Sequence, residues 1–412
     1  MSKVIVIGGG ASGLISAIYA AKSGNKVIIL EKNKTLGKKI LITGNGKCNY
    51  WNSDQSLNHY HTNNKEILEQ FLTKNNQEEV LNFFNSIGIV PKIKDGYYYP
   101  YSNQATSIQT ALIKEAELCG VEIITETEVL NIIKENNYFL IKTSKKTFKG
   151  DKIILSTGSK ASPKTGSDGI GYELAKSLKH SIIEPLPALV QLKSNASFLK
   201  DWHGVRSDVK VSLIENNNII DNQLGEIQLT DYGVSGICIF SLSGRVSRGL
   251  YQNKKEQISI NFLHPFNINN NLEFIEWMTN RNNIVKNRTI SDLLDGLLNY
   301  KLINLILKLS KIKRDNTWNN LTLNEKKLLG TKLTNFILDI TGTNSFDSAQ
   351  VCTGGIALNE INPLTMESNK TKGLYITGEL LDVDGDCGGY NLTNAWITGY
   401  IAGSSIKGDI ND

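Results

Sequence analysis

Residues 3–13 of the chain read KVIVIGGGASG, in which a short apolar strand runs directly into the glycine motif G-x-G-x-x-G. The apolar side chains of residues 3–7 are typical of a parallel strand that is covered on both faces. A helical pattern from Ala11 to Ser23 and a second apolar strand from Val27 to Leu30 complete a βαβ unit. This order predicts an α/β fold with a Rossmann-like dinucleotide-binding domain.

Each glycine of the motif has its own mechanical role. Gly8 makes the tight turn, Gly10 lets the backbone approach a pyrophosphate, and Gly13 allows the helix to pack closely. The N-terminus of that helix offers N–H groups and a positive dipole end to phosphate. Glu31 follows the second strand, where its carboxylate can accept hydrogen bonds from ribose hydroxyl groups and disfavours a 2′-phosphate.

The chain beyond Glu31 favours FAD over NAD. A polar loop rich in glycine and lysine replaces the regular βαβ series of NAD dehydrogenases. We predict that three antiparallel strands within residues 121–142 form a meander, before residues 152–156 return to the main sheet. No second G-x-G-x-x-G motif follows a strand, because Gly169–Gly171 lacks the third glycine. We therefore predict FAD as the cofactor, without a separate NAD(P)H-binding domain.

Composition is that of an ordinary folded protein, with 412 residues of which 40% are hydrophobic and 21% charged. The net charge of +5 comes without a long basic run, so we predict no nucleic-acid partner. Five cysteines without C-x-x-C spacing indicate reduced thiols, no metal site and a cytoplasmic location. No apolar run approaches about 18 residues, so no membrane partner is expected.

Two changes in sequence pattern divide the chain. Short strands between residues 189 and 262 predict a β-barrel-like insert, and leucine-rich residues 271–337 predict a helical one. Glycine-rich βα character returns near residue 342. We predict three domains: a discontinuous FAD-binding domain (1–190 and 342–412), a β-rich insert domain (191–268) and a helical insert domain (269–341).

Further glycine-rich segments carry a resemblance to a known family. They are Gly37–Asn49, Thr165–Gly169, Gly378–Gly385 and Gly388–Leu392. From Val4 to Gly403 the chain resembles a bacterial family of aminoacetone-oxidase-like, NAD(P)/FAD-dependent oxidoreductases, in which a reductase of unsaturated bile-acid intermediates is also placed. The resemblance implies a Rossmann-like FAD-binding domain interrupted by a β-barrel-like insert and a small helical domain.

The resemblance also implies how an extended FAD would lie. Its adenosine would be near Glu31 and Val129, and its isoalloxazine near Gly44–Asn49 and Gly388–Leu392. Lys47 stands where the family usually has arginine, and lysine lacks the planar fork that binds an anion bidentately. The complete set of candidate cofactor-binding residues is Gly8, Gly10, Ala11, Ser12, Gly13, Glu31, Lys32, Lys38, Ile40, Gly44, Asn45, Gly46, Cys48, Asn49, Val129, Thr157, Gly158, Gly378, Glu379, Asp382, Asp384, Gly389, Tyr390, Asn391 and Leu392.

Some of these side chains admit a structural as well as a chemical role. Cys48 is expected to be a packing residue rather than a redox thiol. Asp382 or Asp384 is expected to contact a ribityl hydroxyl group rather than a metal ion. A helix that begins near Asn391 would aim N–H groups at the flavin N1–C2=O edge, while Asn391 could also be a plain N-cap.

Aromatic and histidine residues leave further alternatives. Tyr97–Tyr99 belong to an aromatic hairpin tip that would line the substrate side of the flavin or pack against the insert. The pair His59 and His61 is expected to belong to a loop rather than to a metal site.

The function that follows is an FAD-dependent oxidoreductase that transfers a hydride between flavin N5 and a small organic substrate. NAD(P)H is a candidate electron donor that would dock transiently. Reductase and amine-oxidase chemistry both stay open, and no catalytic acid or base is assigned. The alternative is a flavin-bound redox sensor or scaffold whose insert binds a partner.

Overall fold

A computed structural model describes residues 1–408 and divides the chain into two compact units. Unit 1 combines residues 1–186 with the chain from Ala349 onward, and these two segments share one hydrophobic core. Unit 2 is the continuous segment Pro187–Ser348. The chain leaves unit 1 through the strand Ile182–Ala188 and returns through Val351–Ile356.

Unit 1 is built on a parallel sheet of five strands. The central strand pairs on both sides, with Ile7 opposite Leu155 on one side and Leu30 on the other. Its apolar residues are buried because helices cover both faces of such a sheet. The predicted Rossmann-type α/β fold is confirmed. In spatial order the strands are Leu374–Ile376, Lys152–Leu155, Lys3–Ile7, Lys26–Leu30 and Glu122–Ile124.

Small residues bring two helices of unit 1 into close contact. Helix Ala11–Lys22 follows the glycine loop, and helix Tyr390–Ser405 packs along it. A Cβ atom on Gly399 would lie 2.6 Å from the Ser12 carbonyl oxygen, and one on Gly403 would lie 2.5 Å from the Ser16 carbonyl oxygen. These two glycines therefore allow the final helix to lie against the phosphate-binding helix.

The other elements of unit 1 are shorter. The predicted meander was partly wrong: Glu122–Ile124 belongs to the parallel sheet, and an unpredicted strand, Thr147–Gly150, completes an antiparallel sheet with Val129–Lys134 and Phe139–Thr143. The remaining helices are Lys65–Phe71, Lys74–Ser86, Ala105–Leu118 and Ile170–Ser177, and the remaining strands are Trp51–Asn52 with Pro91–Lys94 and Tyr97–Pro100, and Tyr60–His61 with Asp384–Gly385.

Unit 2 contains a seven-stranded sheet, in keeping with the predicted β-rich region. Helix Ile237–Tyr251 was not predicted, because residues 189–262 were expected to be strands throughout. Its small residues, such as Gly244 and Gly249, are buried. In spatial order the strands are Phe336–Ile340, Glu256–Asn261, Arg206–Glu215, Asn218–Leu229, Gly233–Ser235, Leu192–Lys193 and Gly342–Thr343.

The helical region of unit 2 shares one hydrophobic core with this sheet. Trp318 and Phe274 from the helical region and Phe336 from the sheet are buried in that core. Two of the helices begin with capping boxes, at Thr289 and Thr322. The division into separate β-rich and helical insert domains stays a prediction. Besides Ile237–Tyr251, the α-helices of unit 2 are Leu199–Trp202, Asn271–Ile284, Ile290–Leu294, Tyr300–Leu309 and Leu323–Thr334.

Within residues 1–408, none of the helices has both the length and the apolar character that a membrane crossing requires.

Candidate functional site

Four of the candidate cofactor residues of unit 1 lie at one edge of the parallel sheet. Gly8 and Glu31 come directly after two neighbouring strands, and Thr157 and Gly378 are each the second residue after another strand. Because the strands are parallel, their carboxyl ends meet at the same edge. In open α/β sheets this edge is where nucleotides bind.

The three motif glycines differ in what surrounds them, and the approach of a pyrophosphate to Gly10 stays a prediction. Gly8 has a φ of +100°, and a Cβ atom on it would lie 2.5 Å from the Ser156 carbonyl oxygen. A Cβ atom on Gly13 would lie 2.0 Å from the Gly8 carbonyl oxygen, so this glycine permits the loop to close on the helix. A Cβ atom on Gly10 would meet no atom within 4 Å, so the backbone faces open space there. That space fits a pyrophosphate that approaches the main chain.

The helix that begins at Ala11 adds hydrogen-bond donors at the same place. Its N-cap, Gly10, has extended backbone and makes no side-chain cap. The first N–H groups of a helix have no partner within the helix, so those of Ala11, Ser12 and Gly13 can bind an anion. Ser12 also contacts Gly378, where a Cβ atom would lie 2.5 Å from its hydroxyl oxygen.

Glu31 is buried and holds the loops on either side of it. One carboxylate oxygen accepts a hydrogen bond of 2.8 Å from the Gly9 N–H, and the other accepts two of 2.8 Å from the backbone and side-chain amides of Asn33. A carboxylate has about four acceptor positions, so the geometry leaves capacity for a ribose hydroxyl group. The contact between Glu31 and ribose stays a prediction.

A groove of about 440 Å³ lies next to Glu31, at the expected adenosine end. Its lining includes Lys32, Lys34, Glu126 and Glu128. The Lys32 ammonium group lies 2.6 Å from Asp168, within the Thr165–Gly169 segment. Val129 is buried and begins the next strand, so of these three candidates Glu31 and Lys32 offer polar side chains and Val129 offers only its backbone.

In the loop after the second strand, Lys39 makes contacts within the protein, and the contact of Lys38 with the cofactor stays a prediction. Lys38 is exposed. The Lys39 ammonium group lies 2.7 Å from Glu379 and 3.3 Å from the Ala161 carbonyl oxygen. Ile40 is fully buried and anchors the loop. The two partners Lys39 and Glu379 are 340 residues apart, so no local pattern could have indicated the pair.

Residues 44–49 form a strained turn. Gly44, Asn45 and Gly46 all have positive φ, and so does Cys48, with a φ of 57°. The thiol of Cys48 is completely buried, and burial raises its pKa to about 12. This favours the packing role over a redox role. The Asn49 side-chain amide satisfies its hydrogen bonds when its nitrogen faces Trp51 and Tyr98. In this orientation it donates to their carbonyl oxygens at 2.9 and 3.1 Å.

Several buried polar atoms of unit 1 have no hydrogen-bond partner within the protein. They include Glu379 Oε1, Tyr172 Oη and Asn394 Oδ1. Buried polar groups are normally satisfied, and the hydroxyl groups and phosphates of FAD would provide partners. Together with the open space at Gly10, these atoms show that the residues present fit FAD. Gly158, whose φ is +75°, holds the turn after Thr157 beside Ser167.

Asp382 and Asp384 are both buried, and one Asp382 oxygen accepts a hydrogen bond of 3.2 Å from the Asn63 N–H. Among the described residues, no group of three His, Cys, Asp or Glu side chains could hold a metal ion. A ribityl contact by either aspartate stays a prediction.

Gly389 is the N-cap of helix Tyr390–Ser405, so the alternative of an N-cap at Asn391 was wrong. The Asn391 side chain instead accepts from the Gly385 N–H and donates to the Gly385 carbonyl oxygen, each at 2.8 Å. A Cβ atom on Gly389 would lie 2.8 Å from the Trp51 backbone. The N–H groups of Tyr390, Asn391 and Leu392 lie in the first turn of the helix and have no partner within it, so they are available to a bound flavin.

The pair His59 and His61 belongs to a network that sequence reasoning did not find. Both rings contact the carboxylate of Asp386, each at 3.1 Å. The alternating aspartates after residue 381 were the only sequence signal, and the histidines are more than 320 residues away.

Three comparisons with known proteins bear on the site. The family model described as the HI0933-like protein Rossmann domain matches residues 2–405. The chain is 39% identical over 405 residues to the 3-dehydro-bile acid delta(4,6)-reductase of Clostridium scindens, and the match covers 98% of each protein. It is 26% identical over 404 residues to the ribosomal RNA dihydrouridine synthase of Escherichia coli, covering 98% of this chain and 97% of that one.

Among solved structures, the chain is similar to the 3-ketosteroid-delta4-(5alpha)-dehydrogenase from Rhodococcus jostii RHA1 in complex with 4-androstene-3,17-dione. The TM-score is 0.49 at 13% identity, and the match covers 99% of this chain and 97% of that one. The family model and the 39% identical relative each extend over nearly the whole length. The chain therefore belongs to the HI0933-like family of Rossmann-fold proteins and is an FAD-dependent oxidoreductase.

Proposed function

We propose that the protein is a reductase of a carbon–carbon double bond that is conjugated with a carbonyl group. The observation that carries this proposal is the 39% identity, over 98% of both proteins, to a delta(4,6)-reductase of 3-dehydro bile acids. A 4,6-diene next to a 3-oxo group is a conjugated system. Uridine has the same arrangement, because its C5=C6 bond is conjugated with the C4 carbonyl, and the second relative is a dihydrouridine synthase.

FAD, when bound and reduced, would supply the hydride for this reaction from N5. The chain would hold its pyrophosphate at Gly10 and the N-terminus of helix Ala11–Lys22, and its ribose at Glu31. The N-terminus of helix Tyr390–Ser405 would place positive dipole near the reacting ring. A conjugated carbonyl makes the far carbon of the double bond an acceptor for hydride, and the near carbon then takes a proton.

The substrate that we propose is a small, largely apolar enone, and the electron donor is NAD(P)H that docks transiently. Relatedness to the bile-acid reductase supports the first part. The second part is supported by the sequence, in which the one G-x-G-x-x-G motif after a strand is assigned to FAD. A hydride from the nicotinamide would reduce the flavin before substrate enters.

The test uses the purified, FAD-loaded enzyme under anaerobic conditions. The flavin is reduced with one equivalent of NADH or NADPH and mixed with a 3-oxo-4,6-diene steroid acid. We expect flavin absorbance to return, and mass spectrometry to show a product heavier by two hydrogen atoms. The saturated 3-oxo steroid acid is the control. If the diene leaves the reduced flavin unchanged, as the saturated control does, it is not a substrate.

A uridine in RNA is a second candidate, which two observations favour. The relative from Escherichia coli acts on ribosomal RNA according to its name. In addition, residues 281–332 of unit 2 carry eleven Lys or Arg against four Asp or Glu, although the whole chain has a net charge of only +5. Such an excess supports phosphate contacts. Mixing the reduced enzyme with a uridine-containing RNA hairpin, at low and high salt, separates this candidate from the enone.

A further inference from the structure

Four ionisable side chains of unit 1 form a continuous chain of contacts just before helix Tyr390–Ser405. His59 Nε2 lies 3.1 Å from Asp54 Oδ2, and His59 Nδ1 lies 3.1 Å from Asp386 Oδ2. The second oxygen of Asp386 lies 3.1 Å from His61 Nε2. Carboxylates and imidazoles thus alternate in the order Asp54, His59, Asp386, His61. Each carboxylate can accept a proton from the imidazole next to it.

This chain of contacts runs from solvent into the protein. The exposed fraction of the side chain falls from 62% for Asp54 to 31% for His59, 15% for Asp386 and 13% for His61. Asp54 can exchange protons with water, whereas His61 is largely shielded from it.

The inner end lies against the segment that is expected to bind the flavin. His61 pairs with Asp384 in a short antiparallel ladder, and Tyr60 pairs with Gly385. The Asp386 N–H also donates to the His59 carbonyl oxygen at 2.9 Å. The backbone therefore fixes the register of the two histidines relative to the candidate residue Asp384.

His59 has the geometry of a group that passes protons between two partners. Both of its ring nitrogens face carboxylate oxygens, and ionised carboxylates only accept hydrogen bonds. The ring can donate to both only while it carries two protons, and it can release either one. Its plane is fixed by stacking on Tyr390, with the ring centroids 4.5 Å apart and the planes 16° from parallel.

The neighbouring ionisable groups do not compete near neutral pH. Burial raises the pKa of the Cys387 thiol to about 12, and burial likewise raises the pKa of Tyr390. Tyr97 also faces this segment, where its ring lies near Gly388. Hydrogen bonds from Ser56 and then from His59 lower the pKa of Asp54, so that this residue is an anion at neutral pH.

We propose that Asp54, His59, Asp386 and His61 form a proton path from solvent to the flavin-binding segment, and that this path supplies the proton consumed in each reduction. The inference rests on the proposed function. Reduction of a conjugated double bond takes one hydride at the far carbon and one proton at the carbon next to the carbonyl. His61 Nδ1 would hand on the proton, because its Nε2 faces Asp386. The path is then reloaded from water at Asp54.

The first test needs neither flavin nor substrate. In ¹⁵N NMR spectra of the apoprotein with labelled histidine, recorded at one fixed pH, we expect Asp386→Asn to shift the ring signals of both His59 and His61, because both rings contact this carboxylate. The signal of His264 in unit 2 should not move. Ring signals of His59 and His61 that are unchanged in Asp386→Asn would show that no shared path exists.

The second test needs flavin but no alkene, so its result is independent of the proposed substrate. The methyl viologen radical cation delivers electrons without releasing protons. Reduction of the holoenzyme by this donor therefore takes up a proton, through the same path, that a pH indicator reports. In the wild type we expect proton uptake to coincide with flavin bleaching. In His59→Gln, the rate of proton uptake should fall on the order of tenfold or more. NADH brings its own hydrogen, so the rate of flavin reduction by NADH should stay within about twofold of the wild-type rate.

Chemical rescue separates a proton path from a merely structural role. Because His59 is partly exposed, free imidazole should restore the proton uptake of a His59→Ala variant. His264→Gln in unit 2 is the matched control and should behave as the wild type. Unchanged uptake in both His59→Gln and Asp386→Asn would overturn the proposal. Wild-type proton uptake without oxidation by any conjugated alkene would overturn only the proposed function.

Discussion

Gly10 and Gly13 are three residues apart, yet an added methyl group should act differently at the two positions. At Gly10 a Cβ atom meets nothing within 4 Å, so Gly10→Ala should leave the melting temperature of the apoprotein within about 2 °C. It should still weaken FAD binding at least tenfold, because the methyl group fills the space for the pyrophosphate. At Gly13 the Cβ atom would lie 2.0 Å from a backbone oxygen, so Gly13→Ala should destabilise the apoprotein itself.

Thermal unfolding of both apoproteins and fluorescence titration with FAD measure these effects. Equal loss of apoprotein stability in the two variants would contradict the different roles assigned to the two glycines.

Glu256 in unit 2 should make stability depend on pH. Its carboxylate is 2% exposed, neither oxygen has a hydrogen-bond partner, and a Cβ atom on Gly249 would overlap it. Burial, and then the charge of Glu215, raise the pKa of Glu256 from 4.5 to about 7. The folded state therefore binds the proton more tightly than the unfolded state. The contribution of this protonation to the free energy of unfolding is fully present below about pH 4.5, and it is lost as pH rises through 7.

Glu256→Gln should remove this pH dependence. We expect the variant to equal the wild type at pH 5 and to exceed it at pH 9 by on the order of 1–3 kcal/mol, since one pKa unit corresponds to about 1.4 kcal/mol. Urea unfolding at both pH values measures the difference. Glu226→Gln, at an exposed position in the same sheet, is the control. The same difference at pH 5 and pH 9 would argue against titration of Glu256.

For single residues, sequence patterns could predict contacts with residues that are close in the sequence. The different surroundings of Gly8, Gly10 and Gly13 agree with one local motif, and the buried Cys48 was expected as a packing residue. The contact of Lys39 with Glu379 and that of His59 with Asp386 could not be predicted, because each acidic partner lies more than 320 residues further along the chain. Pairs of this kind depend on which loops the fold brings to the same sheet edge.

Among the elements, the segment before helix Tyr390–Ser405 depends on one side chain. Asn391 both accepts from and donates to the Gly385 backbone, which closes residues 385–391 into a compact turn. Asn391→Ala removes both bonds and leaves two backbone groups without partners, which should destabilise the turn by about 1–3 kcal/mol. Asn391→Asp keeps the acceptor and loses the donor, so its effect should be smaller.

The affinity for FAD, measured by titration, should fall in the same order. An Asn391→Ala variant with wild-type affinity would mean that this turn does not hold the cofactor.

Element types were easier to predict than their partners. The apolar runs of the parallel sheet are distinctive, and the strands Lys3–Ile7 and Lys26–Leu30 followed from them. Glu122–Ile124 is only three residues long, so its pattern could not distinguish the edge of the parallel sheet from a meander. Helix Ile237–Tyr251 was missed because glycine and serine, common within it, are weak helix formers, and packing on the sheet of unit 2 overrides that preference.

For the whole molecule, the continuous segment of unit 2 should fold without the rest of the chain. It has its own hydrophobic core, which includes Trp202, Trp318 and Phe336, and its sheet is complete within the segment. We expect residues 187–348, expressed alone, to unfold cooperatively on heating and to bind no FAD. Circular dichroism and flavin fluorescence provide the measurements. A segment that melts without a sigmoidal transition would show that its core is insufficient.

The discontinuity of unit 1 has a consequence for protein synthesis. Strand Leu374–Ile376 pairs with Lys152–Leu155, and helix Tyr390–Ser405 packs on Ala11–Lys22. A ribosome must therefore make about 160 residues of unit 2 between the two halves, which takes roughly 8–32 s at about 5–20 residues per second. During that interval the nascent N-terminal half has an unpaired strand edge, while unit 2 can already fold. Cofactor loading should then follow translation, and chains that stall before Tyr390 should be released colourless.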